Sequence, residues 1–418
     1  MNLKQDMRTG VAAMKNRVRR GSSGMPTGSS GMRRFAVMLA LACNLVLLIF
    51  LLLVAYGCGD NPQAVMPDTT ATETAPATTA ATATGNSTTT TPSGYMTFVI
   101  NVHDTVNVNE SADTILRLVD IFEKYGVRGD FYLTAPVTQR YAEERPDVIA
   151  RLRESNMTIS YHVRPPNPLY AGFDQPLKAL DDATLAATLR DYETYELDLA
   201  TGGLNRGEPG GYSYVALMFG RDPVTASAPT SDRRIKTAAE VGLAELGARM
   251  VVHYHEEGTD LKQPYVWSNG LLERPSDFSV TRWSDSTESK KEKDPFWWNM
   301  LTTPKASFYN PAAYLEKRMS EWQAAGNGRP PFVTSLIHEN NFYRSGAEGW
   351  TLSYFADTKK EEPLSPPFDL NAPDVSTVRS AGEQTAIWQA YEEMVARAAA
   401  SMKVVTSEDI IELAGARP

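Results

Sequence analysis

The chain has 418 residues, 42% of them hydrophobic, and a formal net charge of −9 at pH 7, a length that allows one large domain or two ordinary ones after a targeting segment. Because the first 34 residues carry eight basic residues against one acidic residue, the rest is strongly acidic, which excludes a nucleic-acid-binding role built on clustered Lys and Arg. The only cysteines are Cys43 and Cys58, so the domain downstream has no disulfide, Cys nucleophile or thiolate metal site.

The N-terminal part of the chain is predicted to lie outside the folded domain. Residues 1–34 form a basic arm, and residues 35–57 form an apolar run long enough to span a bilayer, which takes about 20 residues. The positive-inside rule places the arm in the cytoplasm, so we expect a single-pass cell-membrane protein with an extracytoplasmic domain. A secreted form after signal cleavage and a lipid anchor at Cys58 are the alternatives. Residues 58–94, rich in Thr and Ala, are predicted to be a disordered linker.

Strand and helix patterns alternate in the folded domain, residues 95–418. The apolar, β-branched run of residues 97–102 (TFVINV) predicts a buried parallel strand. A helix with apolar positions from Ile115 to Phe122 follows, and Gly126 is placed to end it. Residues 129–134 predict the next strand. After it, Pro146 can open a helix, and residues 157–162 predict a third strand. This succession predicts an α/β fold with a largely parallel sheet and right-handed crossovers.

The second half of the domain is less regular. Residues 248–255 predict a strand, and residues 256–329, rich in Trp, Pro and charge, predict an elaborated loop region. A strand over residues 332–338, a long helix over 383–402 and a short strand over 403–406 follow. Ser407 is predicted to cap a final helix.

Three of the five histidines end predicted strands: His103, His162 and His338. The carboxyl ends of parallel strands carry the chemistry in α/β barrels and open sheets, so these positions predict a metal-assisted active site. Asp104 is a hard ligand for a divalent cation, and His162 can join it. His338 and Glu339 follow an apolar run, where a proton donor is expected.

Two further groups of residues complete the candidates. Arg164 and Glu339 are predicted to contact substrate. His253 and His255 alternate on one predicted strand, so they form either a chelating pair or a half-solvated strand face. No nucleophile elbow, Walker motif or dinucleotide fingerprint is present in the sequence.

These motifs resemble those of the polysaccharide deacetylases of carbohydrate esterase family 4, the chitooligosaccharide-deacetylase homology domain. The chain resembles a divergent member of that family. Residues 102–104 (VHD) stand at the family's paired-Asp motif, and residues 115–132 (ILRLVDIFEKYGVRGDFY) match its next helix and strand. Residues 160–162 (SYH) and 335–338 (SLIH) match two later strand ends, and 404–408 (VVTSE) echo the closing segment. The resemblance spans most of residues 95–415 and is weakest between 170 and 330.

The resemblance implies a distorted (β/α) barrel of the glycoside hydrolase/deacetylase type. It also implies a divalent metal, usually zinc, held by Asp104 and His162, and removal of N-acetyl or O-acetyl groups from an extracellular or cell-wall polysaccharide. His338 takes the place of the proton donor. His103 stands where the family has its aspartate base, so activity is expected to fall below roughly pH 6–6.5 as an imidazole base takes up its proton.

Two departures from the family pattern leave the metal site open. Pro166 stands at the position of the second metal histidine and cannot bind, so the third ligand is His103, Asn167, a strand-face histidine or water. Residues 221–223 (RDP) are the counterpart of the arginine–proline motif.

Two other functions stay open alongside the deacetylase. One is a non-catalytic glycan-binding barrel that has lost part of the metal site. The other is a glycoside-cleaving relative, which needs two carboxylates across the scissile bond, and here Asp104 and Glu339 are the candidates. The sequence does not determine the oligomeric state.

Overall fold

The computed structural model describes residues 92–252, 258–281 and 310–415. The predicted arm, the apolar run and the linker as far as residue 91, which includes Cys58, lie outside the described residues. His253 and His255 lie outside them as well. Within the described ranges, no helix combines the length and apolar character needed to cross a bilayer. The expectation of a single-pass membrane protein is therefore wrong for the described part of the chain, and the run of residues 35–57 on which it rested lies outside that part.

The strands and helices of the described residues alternate along the chain. The strands are β1 Tyr95–Val102, β2 Asp130–Leu133, β3 Thr158–Tyr161, β4 Tyr195–Leu197, β5 Leu204–Pro209, β6 Thr225–Ala226, β7 Met250–Val251, β8 Trp267–Ser268, β9 Leu271–Glu273, β10 Phe278–Thr281, β11 Phe332–His338, β12 Arg344–Gly346, β13 Ser376–Val378 and β14 Lys403–Val404. The α-helices are α1 Val108–Lys124, α2 Ala135–Glu144, α3 Pro146–Glu154, α4 Gln175–Lys178, α5 Asp182–Thr194, α6 Gly211–Phe219, α7 Arg233–Leu246, α8 Pro311–Ala324, α9 Thr351–Tyr354, α10 Ala381–Ser401 and α11 Ser407–Ala414. A 3₁₀ turn, Glu339–Phe342, follows β11 directly.

The central sheet is parallel. Its strands lie in the order β10-β11-β1-β2-β3, and β14 pairs with the beginning of β1. A second sheet has the order β6-β7-β9-β8. The Val224 N–H, directly before β6, donates to the carbonyl of Ile159 in β3 at 2.9 Å, so the second sheet continues from the edge of the first. The predicted α/β fold with a parallel sheet is confirmed.

Both faces of β1 are buried, which explains why its sequence is an unbroken apolar run. Phe98 and Ile100 belong to the large core under the helices. Val99, between them, points the other way and packs with Tyr132 and Leu336 from the neighbouring strands. Side chains alternate along a strand, so one apolar run serves both layers.

Helix α1 is formed as the apolar spacing predicts. Ile115, Leu118, Val119 and Phe122 are all fully buried in the core. Gly126 follows the helix with a φ of +64°, a left-handed conformation that glycine adopts without the strain of a Cβ. The strand predictions at residues 129–134 and 157–162 and the helix start at Pro146 are confirmed as well.

Three predictions in the second half of the chain are wrong in detail. Residues 256–329, predicted to be a loop region, contain β8, β9, β10 and α8 within the described ranges, and Asn310 caps α8 by accepting the Ala313 N–H. The strand predicted over 248–255 is limited to β7 among the described residues. The final helix is capped by Thr406, which shares a capping box with Asp409, and Ser407 is its first helical residue. Ser407 is therefore not the cap, and its backbone N–H donates to the Asp130 carboxyl.

Candidate metal centre

The strand order brings the three strand-end histidines to one edge of the sheet. His103 follows β1, His338 ends the adjacent β11, and His162 follows β3, one strand beyond β2. The ring centroids of His103 and His338 are 4.6 Å apart, and those of His103 and His162 are 6.2 Å apart. All three residues are 2% exposed. The strand ends therefore bring the three histidines together, as the sequence pattern predicts, and the roles predicted for them stay predictions.

His103, His338 and Glu348 form a compact group of possible ligands. His103 Nε2 lies 2.8 Å from His338 Nδ1 and 3.4 Å from Glu348 Oε1. His338 Nδ1 lies 3.5 Å from the same carboxylate oxygen. These three atoms define the candidate metal centre, and we call these three residues the His-His-Glu group.

Glu348 is absent from the predicted site residues. It lies between β12 and α9, ten residues beyond His338 in a polar, glycine-containing stretch (SGAEGWT). Neither periodicity nor motif spacing distinguishes this glutamate from an exposed loop residue. The only sequence sign is an acidic residue next to Gly-Trp shortly after a strand-end histidine.

Two cations surround the Glu348 carboxylate. Lys360 Nζ pairs with Oε2, and Arg164 Nη2 lies 3.7 Å from Oε1. Burial alone would raise the pKa of Glu348, but the charges of Lys360 and Arg164 outweigh it and hold that pKa well below its usual range. Glu348 is therefore ionised at neutral pH. The predicted substrate contact Arg164 is brought to the site, since its Nη2 also lies 3.4 Å and 3.5 Å from the two ring nitrogens of His338.

The histidines of this edge are neutral. Burial lowers the pKa of His338 to about 4, although the Glu348 carboxylate acts to raise it. Burial and the Arg164 guanidinium lower the pKa values of His103 and His162 well below 6.5. The acid limb expected near pH 6–6.5 for a His103 base therefore moves to lower pH.

The Asp104 carboxylate is turned away from this group. Its Oδ1 accepts the backbone N–H groups of Val106 and Asn107, each at 3.0 Å. Its Oδ2 accepts the Asn107 side-chain amide at 3.0 Å and the Tyr343 hydroxyl at 2.9 Å. Four donors thus hold it in the turn that opens α1. The predicted pairing of Asp104 with His162 as ligands stays a prediction, and the structure does not place Asp104 in the His-His-Glu group.

The Glu339 carboxyl links the end of β11 to the loop that follows β1. Its Oε1 accepts the backbone N–H groups of His103 and Asp104, each at 2.6 Å, and the hydroxyl of Ser111 at 3.3 Å. Burial and the neighbouring Asp104 carboxyl raise the pKa of Glu339 to about 8. Fully buried as it is, Glu339 holds the loop after β1, and the substrate contact predicted for it stays a prediction.

The other predicted residues lie outside the group. His162 Nδ1 is 3.2 Å from the hydroxyl of Ser227. The Asn167 side chain is engaged with Glu193 at 3.0 Å and with the backbone of its own turn. Arg221 donates to the carbonyl of Met157 at 2.7 Å, directly before β3. It therefore lies at the amino end of that strand, opposite His162, and the structure does not bring the predicted arginine–proline counterpart to the site.

The protonation states of the His-His-Glu group, and two of its three ligand spacings, are compatible with a divalent metal. Zinc bonds to nitrogen and oxygen are about 2.0–2.1 Å long, so two ligands of a tetrahedral site stand about 3.3–3.4 Å apart. Two of the three separations, 3.4 and 3.5 Å, match this value, whereas the third, 2.8 Å between His103 Nε2 and His338 Nδ1, is shorter and is a hydrogen-bond distance. Imidazole ligands must be neutral and carboxylate ligands ionised, and His103, His338 and Glu348 satisfy both conditions. The group could therefore hold a metal.

Comparison with known proteins gives structural similarities alone. No protein-family model matches the chain, and no curated protein matches it. A protein described as a polysaccharide deacetylase from Mycobacterium smegmatis is 14% identical, with a TM-score of 0.42, over 78% of this chain and 91% of that one. Another, from Pseudomonas aeruginosa PAO1, is 12% identical, with a TM-score of 0.41, over 76% and 90%. A 4-alpha-glucanotransferase from Thermococcus litoralis is 12% identical, with a TM-score of 0.38, over 78% and 41%.

Structures described as polysaccharide deacetylases, the family that the sequence resembles, are among these matches. Their low identities make this a distant similarity. All three TM-scores lie below 0.5, and the printed descriptions name two different activities, so nothing about reaction or substrate is inferred from them.

Proposed function

We propose that the chain is a metal-dependent hydrolase that removes acyl groups, either N-acetyl or O-acetyl, from a polysaccharide. The observation that supports this proposal is the buried His-His-Glu group at the carboxyl edge of a parallel sheet, with ligand atoms 2.8–3.5 Å apart. Zinc as the metal and residues 95–418 as the catalytic domain belong to the same proposal. So does the distorted (β/α) barrel, which the two sheets joined at β3 and β6 would form.

His103, His338 and Glu348 would hold the metal. A divalent ion bound there acts as a Lewis acid on an acyl carbonyl oxygen. Lys360 pairs with the far oxygen of Glu348 and so fixes the orientation of the carboxylate. The other carboxylate oxygen of Glu348, Oε1, is then directed at the imidazoles of His103 and His338.

Arg164 and His162 are the residues available to act on substrate. The Arg164 side chain is 12% exposed and presents a fixed planar donor, which suits a carbonyl or anionic oxygen. His162 is a neutral imidazole beside the group, and a neutral imidazole can accept a proton and return it to a leaving group. In this proposal His162 therefore moves the proton, and His103 becomes a ligand in place of the base.

The experiment is acetate release from N-acetylated and O-acetylated glycans by the purified full chain after zinc loading. His338→Gln and Glu348→Gln are expected to lose both the bound zinc and the activity. Glu240→Gln is the matched control, because Glu240 is equally buried but pairs with Asn269 instead of this group. A zinc-loaded chain that releases no acetate from either glycan would overturn the proposal, as would full activity in Glu348→Gln.

A glycan-binding barrel without catalysis is the second candidate. One observation favours it: Arg164 and Lys360 already offset the Glu348 charge, and this weakens the attraction of the group for a metal cation. Retention of the unsubstituted, zinc-treated chain on an acetylated glycan, with no acetate released, is the result expected of that function.

A further inference from the structure

Trp350 makes a contact with His103 that the catalytic proposal does not use. Its indole N–H donates to His103 Nδ1 at 3.2 Å. Trp350 is 2% exposed and packs with Tyr354 and Phe355, and Lys360 Nζ lies 4.5 Å from the centroid of its ring. The surroundings therefore fix the indole in place against the imidazole.

This contact determines which nitrogen of His103 carries the proton. An indole nitrogen only donates, so the facing Nδ1 must accept and carries no proton. The single proton of the neutral imidazole is then on Nε2. That Nε2–H donates to His338 Nδ1 at 2.8 Å, and Glu348 Oε1 lies 3.4 Å from the same nitrogen.

The nitrogen that carries the proton is the one directed at the metal centre. A metal ligand needs an unprotonated nitrogen, and metal-bound histidines normally donate their other N–H to a carbonyl, a carboxylate or water. At His103 the other nitrogen faces a donor instead. Binding a metal at Nε2 would move the proton to Nδ1, release no proton, and leave two N–H donors, of His103 and Trp350, facing each other.

We propose that Trp350 is a positioning residue that holds His103 in its Nε2–H tautomer and thereby weakens metal binding at the His-His-Glu group. The inference rests on the proposed function for the place where the metal binds. The group has two mutually exclusive arrangements. In one, His103 Nε2–H bonds to His338. In the other, Nε2 binds the metal and the hydrogen bond from Trp350 is broken.

The first test measures the tautomer in the unsubstituted full chain. Nitrogen-15 spectra of the imidazoles, recorded without metal and assigned with His103→Gln, are expected to show Nδ1 bare and Nε2 protonated. A protonated Nδ1 would overturn the inference. This measurement needs no Trp350 variant and is independent of whether such a variant folds.

The second test measures zinc affinity by competition with a chelator. Trp350→Phe keeps an aromatic ring and removes the N–H, so it is expected to bind zinc about tenfold more tightly or better, since outer partners of metal-bound histidines change affinity by about 10–100-fold. Trp322→Phe is the matched control, because its indole N–H donates to the Arg329 carbonyl at 2.8 Å, outside the group. Equal or weaker affinity in Trp350→Phe would refute the role of Trp350.

The two proposals fail in different ways. If Trp350→Phe binds zinc more tightly but neither loaded protein releases acetate, the hydrolase is wrong and the role of Trp350 stands. If the unsubstituted protein is active with zinc and the two affinities are equal, the hydrolase stands and the role of Trp350 is wrong.

Discussion

Asp130→Asn is expected to remove a pH dependence of stability that one buried carboxyl imposes on the fold. Asp130 begins β2 and is fully buried. It accepts the backbone N–H of Ser407 at 3.0 Å and the Ser407 hydroxyl at 2.9 Å. Burial raises its pKa from 3.8 to about 7, although the hydrogen bonds from Ser407 act to lower it.

The sign and size of the effect follow from this pKa. Below pH 3.8 the carboxyl is protonated in both states, and its stabilising contribution is fully present. Between 3.8 and about 7 the unfolded chain ionises while the folded chain keeps its proton, so the free energy of unfolding falls as pH rises. One pKa unit corresponds to about 1.36 kcal/mol, so the rise from 3.8 to about 7 lowers stability by about 4 kcal/mol once the pH passes the folded pKa.

The assay is urea unfolding of the unsubstituted protein and Asp130→Asn at a series of values from about pH 4 to about pH 8. Glu339, whose pKa is also raised, to about 8, acts equally in both proteins and cancels in the difference. The variant should gain about 4 kcal/mol relative to the unsubstituted protein across this range. A difference that stays constant within about 1 kcal/mol would refute the reasoning and mean that Asp130 is ionised in the fold.

Three further outcomes are expected. Glu348→Gln should lower the free energy of unfolding in zinc-free buffer by about 3–5 kcal/mol, since it removes the charge of a buried carboxylate that pairs with Lys360 and Arg164; a loss below about 1 kcal/mol in urea would contradict this. Phe342→Ala should cost about 3–5 kcal/mol, because the ring is fully buried and stacks on Trp388 with centroids 3.9 Å apart. An unchanged unfolding midpoint would count against that packing. A chelator should abolish acetate release and added zinc should restore it, whereas activity that persists without metal would argue for chemistry by the side chains alone.

The strands and their ends were predictable from the sequence because they depend on local patterns. Apolar runs with both faces buried predict β1 and β11 directly, and each run stops at a histidine. Parallel strands carry their carboxyl ends to one edge, so the meeting of His103 and His338 follows from two separate segments without knowledge of the loops. The short strands β8 and β9 have too few residues to show a period, and there the sequence reasoning failed.

The rest of the site depends on loops, whose side-chain directions no periodicity records. Asp104 and His103 are neighbours, yet the Asp104 carboxylate accepts four donors, three from the turn before α1 and one from Tyr343, whereas the His103 ring contacts His338 and Glu348. Trp350 enters, together with Glu348, from a loop 247 residues after His103 in the chain. Their meeting with His103 is a property of the tertiary structure alone.

The hydrogen bonds of Glu339 join two distant dipeptides, residues 103–104 and 338–339, into one structural unit. Residues 103–104 depend on Glu339 for both of their backbone donors, and Glu339 is the neighbour of His338. A substitution at position 339 would therefore release the loop that aims one imidazole while disturbing the strand end that carries the other. In a library of variants, positions 103, 104, 338 and 339 are best substituted together, because a single substitution at one of them disturbs the relative placement of the His103 and His338 imidazoles.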